Sequence, residues 1–242
     1  MMISFAQNLE DVVLERVFKG QLRGFYIDVG AWDPDDGSVT KHFYLKGWRG
    51  VNVEPVAYYF ERLLAARPRD INLRVAVGSQ DQRTAEFLQF DGTGLSGFAE
   101  TSHRTVIENA GFRPHSTTVD VVSLAEITAR YAPPQVDFLK IDVEGAERFV
   151  IESAEWHAFR PRVVVVEALT PITHRPAWFG WEGLLIQAGY RFALFDGLNR
   201  FYHRSEEPEL REPLSVPANI LDDYHQHSCR YHVSDSARRR AG

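Results

Sequence analysis

Short apolar runs alternate with segments of helical spacing along most of this chain, and the order of the two predicts its architecture. Leu9, Val12, Val13, Val17 and Phe18 recur at helical spacing and predict an N-terminal helix within Ser4 to Phe18. Phe25-Tyr26-Ile27-Asp28-Val29-Gly30 reads as a strand, followed by a helix over about 38–46, a strand over 50–54, a helix over about 56–66 ended by Pro68, and a strand over 71–77 closing at Gly78. That βαβαβ order predicts parallel pairing with right-handed crossovers. Residues 82–90 and 117–122 are β-like, and Asp91-Gly92-Thr93-Gly94-Leu95-Ser96-Gly97 between them reads as a mobile loop. Ser123-Leu124-Ala125-Glu126 matches a capping box and starts a short helix that Pro133-Pro134 ends. A strand over 136–141, a helix over 145–154 and a strand over 162–168 follow.

The last third changes character. Trp181 to Ala188 predicts a helix stopped by Gly189, and the apolar runs Tyr190 to Phe195 and Leu198 to His203 flank Asp196-Gly197, a strong hairpin signal. A mostly parallel sheet whose final strand folds back is the methyltransferase variant of the doubly wound fold, whereas the dinucleotide-binding version normally stays parallel. The expectation is an α/β, Rossmann-like class I methyltransferase fold: a mostly parallel seven-stranded sheet with a C-terminal antiparallel hairpin strand and helices on both faces. Residues 1–20 would form a helical segment covering the site, 21–204 the main domain, and 205–242 an extension with a tail ending in Arg238-Arg239-Arg240.

Composition narrows the classes of partner. The chain has 242 residues, 44% of them hydrophobic, enough for a full core. A net charge of −6 opposes phosphate backbones and argues against nucleic acid. A single cysteine, Cys229, points to a reducing compartment; neither a signal peptide nor an apolar stretch long enough to span a membrane is evident, so the cytoplasm is expected. The oligomeric state is left open, a homodimer included.

Gly30 at the end of the first predicted strand and Glu54 at the end of the second form the glycine-and-acid pairing with which parallel sheets hold a nucleoside, the acid gripping a ribose. A diphosphate would need further glycines and a helix N-terminus free of anions. Here Asp33, Asp35 and Asp36 follow instead, where a diphosphate would lie, and they suit the sulfonium and ammonium of S-adenosylmethionine better. Ala76 and Val77, small and apolar at the third strand's end, can flank an adenine. Asp142 ends the strand after the topological switch, and Glu167 ends the next. Two acids on one rim could hold a divalent cation such as magnesium, bind the cofactor's ammonium, or hydrogen-bond acceptor hydroxyls. His174, in the loop after Glu167, is the candidate general base.

Five blocks, Gln7-Asn8-Leu9-Glu10-Asp11, Asp28-Val29-Gly30-Ala31, Val53-Glu54-Pro55, Lys140-Ile141-Asp142-Val143-Glu144-Gly145-Ala146-Glu147 and Asp196-Gly197-Leu198-Asn199-Arg200-Phe201-Tyr202, together resemble the FkbM family of S-adenosylmethionine-dependent O-methyltransferases. The resemblance spans about residues 4 to 225 and implies methyl transfer from sulfur to a hydroxyl oxygen, with a saccharide or other polyhydroxylated natural product as the small-molecule or glycan acceptor. Family members often carry asparagine and a shorter turn where this chain has Trp32, so the loop over the methionine end differs. The expected cofactor set is Gln7, Asp28, Gly30, Ala31, Ser38, Glu54, Ala76, Val77 and Asp142; the catalytic set is Asp142, Glu167 and His174; the metal pair is Asp142 and Glu167. A nicotinamide-dependent oxidoreductase or epimerase and a non-catalytic adenosyl-binding module are the rival readings.

Overall fold

The computed structural model describes residues 2–99 and 104–227; Cys229 and Arg238-Arg239-Arg240 lie outside the described residues. In chain order the elements that build the main sheet and its helices are α1 (Glu10–Val17), β2 (Phe25–Val29), α2 (Lys41–Leu45), β3 (Arg49–Val53), α3 (Ala57–Ala66), β4 (Ile71–Leu73), α5 (Leu124–Tyr131), β9 (Phe138–Ile141), α6 (Glu147–Glu152), β10 (Val163–Glu167), α7 (Glu182–Gln187), β11 (Tyr190–Phe195) and β12 (Asn199–Arg204). The seven strands lie in the order β11-β12-β10-β9-β2-β3-β4. All pairings from β4 to β10 are parallel, and β12 runs antiparallel to both of its neighbours. The fold-back hairpin at Asp196-Gly197 is therefore real.

One part of the sequence expectation needs correction. The strand expected over 71–77 is two strands, because only Ile71–Leu73 pairs with β3 while β5 (Ala76–Val77) leaves the sheet edge and pairs in parallel with β8 (His115–Val122). β8 also pairs with β6 (Thr84–Gln89), which pairs with β7 (Gly97–Phe98), giving a separate four-stranded mixed sheet. Ala76 and Val77 bury their side chains, Ala76 packing with Val121 and Phe87 of that second sheet. The protein thus carries mixed sheets rather than one clean parallel one. Between β7 and β8 lies α4 (Arg104–Asn109), which the apolar pattern did not announce.

Alternation along the buried strands sorts the core into two faces. Ile27, Val29, Leu139, Ile141, Val164 and Val166 pack with Leu124, Ile127, Val150 and Leu185 from α5, α6 and α7. Tyr26, Phe138, Val163, Val165 and Phe201 face the other way, onto Val13, Leu14, Phe43 and Trp48. Phe18, Phe43, Trp48 and Phe138 form one aromatic cluster with centroids 4.8–6.5 Å apart. Each such side chain contributes about 2–3 kcal/mol by burial. The capping box at Ser123 forms as expected: Ser123 Oγ accepts from Glu126 N at 3.1 Å, and Glu126 accepts from Ser123 N at 2.9 Å.

The N-terminus is a strap. β1 (Met2–Ser4) pairs with β13 (Tyr224–Gln226), Asp11 accepts from Ser4 Oγ and Phe5 N, and Glu10 accepts from Asn8 N and Asn199 Nδ2. Burial, with Asp196 nearby, lifts the Glu10 carboxyl to about 8. These bonds join residues 4–11 to the β12 end of the hairpin.

Candidate functional site

Parallel strands deliver their carboxyl ends to one rim, and the site forms where the sheet order reverses between β2 and β9. The chain leaves β2 through Gly30, which has φ 82° and whose N–H, like that of Ala31, donates to Val53 O. The glycine is required for a reason the sequence did not reveal. A Cβ there would lie 1.7 Å from the carbonyl oxygen of Asp142, so the missing side chain makes room for the neighbouring strand's backbone rather than for a ligand.

Below this turn is a buried ion cluster. Register places Asp28 beside Lys140, and alternation points both side chains to the same face. Lys140 Nζ donates to Gly30 O at 3.0 Å and lies 3.5 Å from Asp28 Oδ1 and 3.2 Å from Asp142 Oδ2. Burial disfavours the ammonium, but Asp142 and Asp28 outweigh it and hold Lys140 above the usual lysine range. Asp28 also accepts from Thr40 Oγ1 at 3.1 Å; burial raises its carboxyl, with Lys140 acting in the opposite direction. A lysine inside Phe138-Leu139-Lys140-Ile141, an otherwise apolar buried strand, was the readable signal for this cluster.

Glu54 follows β3 and is 5% exposed. Its Oε1 accepts from Val56 N at 2.7 Å and its Oε2 from Trp32 N at 2.9 Å, which fixes the carboxylate at the cavity edge with lone pairs to spare. Burial lifts this acid to about 7 against those two backbone bonds. Trp32 takes a left-handed backbone (φ 47°) and packs its ring on Tyr59 in a tilted arrangement, centroids 5.5 Å apart.

The acids after Gly30 do not face the ligand space. Asp33 Oδ1 accepts from Asp35 N and Asp36 N, Asp33 Oδ2 pairs with Arg62, and Asp35 pairs with Lys41. Asp33 and Asp35 tie their own loop, and neither they nor Asp36 line the cavity, so these carboxylates do not lie where they would repel a diphosphate. Ser38 is likewise held in the wall, accepting from Arg67 Nη2 at 2.8 Å.

On the other side, Asp142, Glu144 and Glu167 converge, each offering an oxygen within 4.8 Å of the others. Left-handed Glu144 and Gly145 turn the chain between β9 and α6. The turn is tied by Glu147, whose Oε1 accepts from Val143 N and Gly145 N, and not by Asp142. Asp142 is thereby left to face Lys140 and the cavity. Burial, then the crowding of Asp142 and neighbouring glutamates, holds Glu144 and Glu167 well above the usual carboxylate range. Glu144 Oε2 and Glu167 Oε2 are buried without a hydrogen-bond partner among the described residues.

These groups surround a cavity of about 650 Å³. Gln7, Gly30, Ala31, Glu54, Ala76, Val77, Asp142, Glu167 and His174 line it, whereas Asp28 and Ser38 stand behind its wall. His174 is exposed at the rim. Trp181, which follows the same loop, is buried in the core. Lys140, Glu144, Phe98 and Phe112 also line the cavity, and none belonged to the expected set. The two phenylalanines come from the insertion between β5 and α5, whose position no local pattern specifies.

A cavity at the switch point of a doubly wound sheet, with an acid on the second strand and the final strand reversed, defines a class of nucleoside-type sites. The methyltransferase FkbM domain matches residues 28–192, more than half of the chain, and the chain belongs to that family. Membership makes it a methyltransferase and implies S-adenosylmethionine as the methyl donor. No curated protein matches the sequence. Among solved structures it is similar to a chain of the fibrillarin/Nop5p complex (13% identity, 76% of this chain and 74% of that chain, TM-score 0.41). The C-terminal domain of precorrin-6Y C5,15-methyltransferase from Rhodobacter capsulatus is similar at 14% identity (80% and 85% covered, TM-score 0.35), and the pyocyanin biosynthetic protein PhzM at 14% (80% and 54%, TM-score 0.34). These likenesses are loose. Among the described residues no helix is long and apolar enough to cross a membrane.

Proposed function

We propose that the protein moves the methyl group of S-adenosylmethionine to a hydroxyl oxygen of a saccharide or other polyhydroxylated natural product. The observation that carries this reading is the convergence of Asp142, Glu144 and Glu167 on the cavity that Gly30 and Glu54 also line. Glu54 takes the ribose hydroxyls, Ala76 and Val77 flank the adenine, and Gln7 with the Gly30-Ala31 turn lies at the methionine end. An oxygen lone pair of the acceptor attacks the methyl carbon in line, the carbon–sulfur bond breaks with its electron pair going to sulfur, and the hydroxyl proton passes to a base. Glu167, which lines the cavity beside Asp142 and Glu144, fills that role, with His174 at the rim as the second acceptor.

The acid cluster also fits a divalent cation. Its donors are all oxygens, and two of them are orphaned and buried, as hard cations such as magnesium require. Asp142, Glu144 and Glu167 would hold the ion, which when bound lowers the pKa of a coordinated hydroxyl. The test is transfer of a labelled methyl group from S-adenosylmethionine to a panel of hydroxylated saccharides, with the product's methyl position assigned by NMR. A methyl found on nitrogen or carbon contradicts the reading, and full activity in excess EDTA removes the cation.

A further inference from the structure

Two loops meet over the acceptor side of the cavity. The first is the segment after β10, closed on itself by Ala177 N to Ala168 O at 2.8 Å, Thr170 N to Arg175 O at 2.8 Å and His174 N to Thr170 O at 3.0 Å. At its tip Ile172 has φ 60°. A β-branched residue in the left-handed region is a backbone outlier, where glycine or asparagine would be the relaxed choice. The side chain explains the isoleucine: it packs on the cluster of Leu88, Phe90 and Ile107, together with Leu95 and Phe112, in the insertion across the cavity. Strain held in place by packing at a cavity mouth marks a functional position.

Leu95, Phe112, Leu169 and Ile172 all line the cavity and form an apolar collar interrupted by Thr93, Thr170 and His174, while Glu144 and Glu167 line its acidic part. An acceptor bearing hydroxyls on every side would leave several of them against the collar without partners, which disfavours its binding. We infer that the acceptor is amphipathic, its reacting hydroxyl directed at Glu167 and an apolar segment seated on the collar of Leu95, Phe112, Leu169 and Ile172, with Ile172 as a specificity-determining residue. This rests on the hydroxyl-methylating reading above and narrows it to polyhydroxylated groups that carry an apolar substituent.

The experiment titrates n-alkyl β-glucosides, from methyl to octyl and below their micelle concentrations, into the enzyme saturated with S-adenosylhomocysteine. Affinity is expected to rise about two- to fourfold per methylene. Ile172→Asn suits the local backbone and so keeps the fold, as a thermal melt checks, while it replaces the apolar contact; it should flatten the dependence on chain length. Leu95→Asn, on the opposite loop, should do the same. No chain-length dependence in the wild type, absence of binding by every glucoside included, overturns the inference. So does a dependence that survives both substitutions, which would place the alkyl chain elsewhere. Failure of the wild type to bind S-adenosylhomocysteine would instead bring down the methyltransferase reading itself.

Discussion

Replacing Lys140 by methionine tests how the floor of the site is held. The side chain is 10% exposed, and its ammonium faces Asp28 at 3.5 Å, Asp142 at 3.2 Å and the Gly30 carbonyl at 3.0 Å. Asp142 is 25% exposed, so water takes over much of its pairing, but Asp28 is 1% exposed and would keep just the hydrogen bond from Thr40 Oγ1 and the more distant charge of Arg67 among the described residues. Leaving one buried charge uncompensated costs about 3–5 kcal/mol. With a urea m-value of about 2–3 kcal/mol/M, the unfolding midpoint should fall by about 1–2.5 M, read from tryptophan fluorescence. Asp28→Asn added to Lys140→Met should recover at least half of the loss. pH gives an internal check. Burial already raises the Asp28 carboxyl, and without Lys140 it rises further. An acid with a raised folded value destabilises the protein at high pH, and that penalty fades as pH falls through the folded value toward the unfolded one of about 3.9. The deficit relative to wild type should thus be full at pH 8 and smaller at pH 5. A loss below about 1 kcal/mol, or one equally large at both pH values, would refute this account of the floor.

Other consequences are equally direct. Burial lifts Glu54 to about 7; with the proposed ribose hydroxyls donating to its ionised form, affinity for S-adenosylhomocysteine should fall about tenfold from pH 8 to pH 6, and Glu54→Gln should abolish that slope. A flat wild-type profile would mean that Glu54 does not meet the ligand. Gly30→Ala adds a Cβ 1.7 Å from the Asp142 carbonyl at φ 82°, and should lower stability by more than the ~1–2 kcal/mol of the backbone term alone, as a thermal melt would show. Ser123→Ala removes the capping box of α5 and should cost about 1 kcal/mol, as a thermal melt would show.

The main sheet was legible because most of its strands are short, mainly apolar runs bounded by glycine, proline or a polar segment, and because Asp196-Gly197 announces the reversal locally. The third strand misled because Ile71 to Val77 is one continuous β-like stretch; where it divides depends on pairing with β8, some 45 residues away. Gly30 and Glu54 were readable as a pair from spacing. The directions of Asp33 and Ser38 were not, since Arg62 and Arg67 draw them into the wall from distant positions, while Asp35 pairs with Lys41 at the surface. Lys140 was visible as a charge within an apolar strand, yet its meaning needed the register against Asp28. The collar escaped altogether: Phe112 and Ile172 meet through tertiary packing, and nothing local marks either as a wall of the same cavity.

The central claim is that the switch-point cavity takes an adenosyl methyl donor with Glu54 on its ribose. Calorimetric titration of the purified chain with S-adenosylmethionine, S-adenosylhomocysteine and NAD tests it most directly. The account predicts binding of the first two and none of NAD, with Glu54→Ala weakening both by about 1–3 kcal/mol through lost hydrogen bonds. Tight binding of NAD with no heat from either sulfur compound would contradict it.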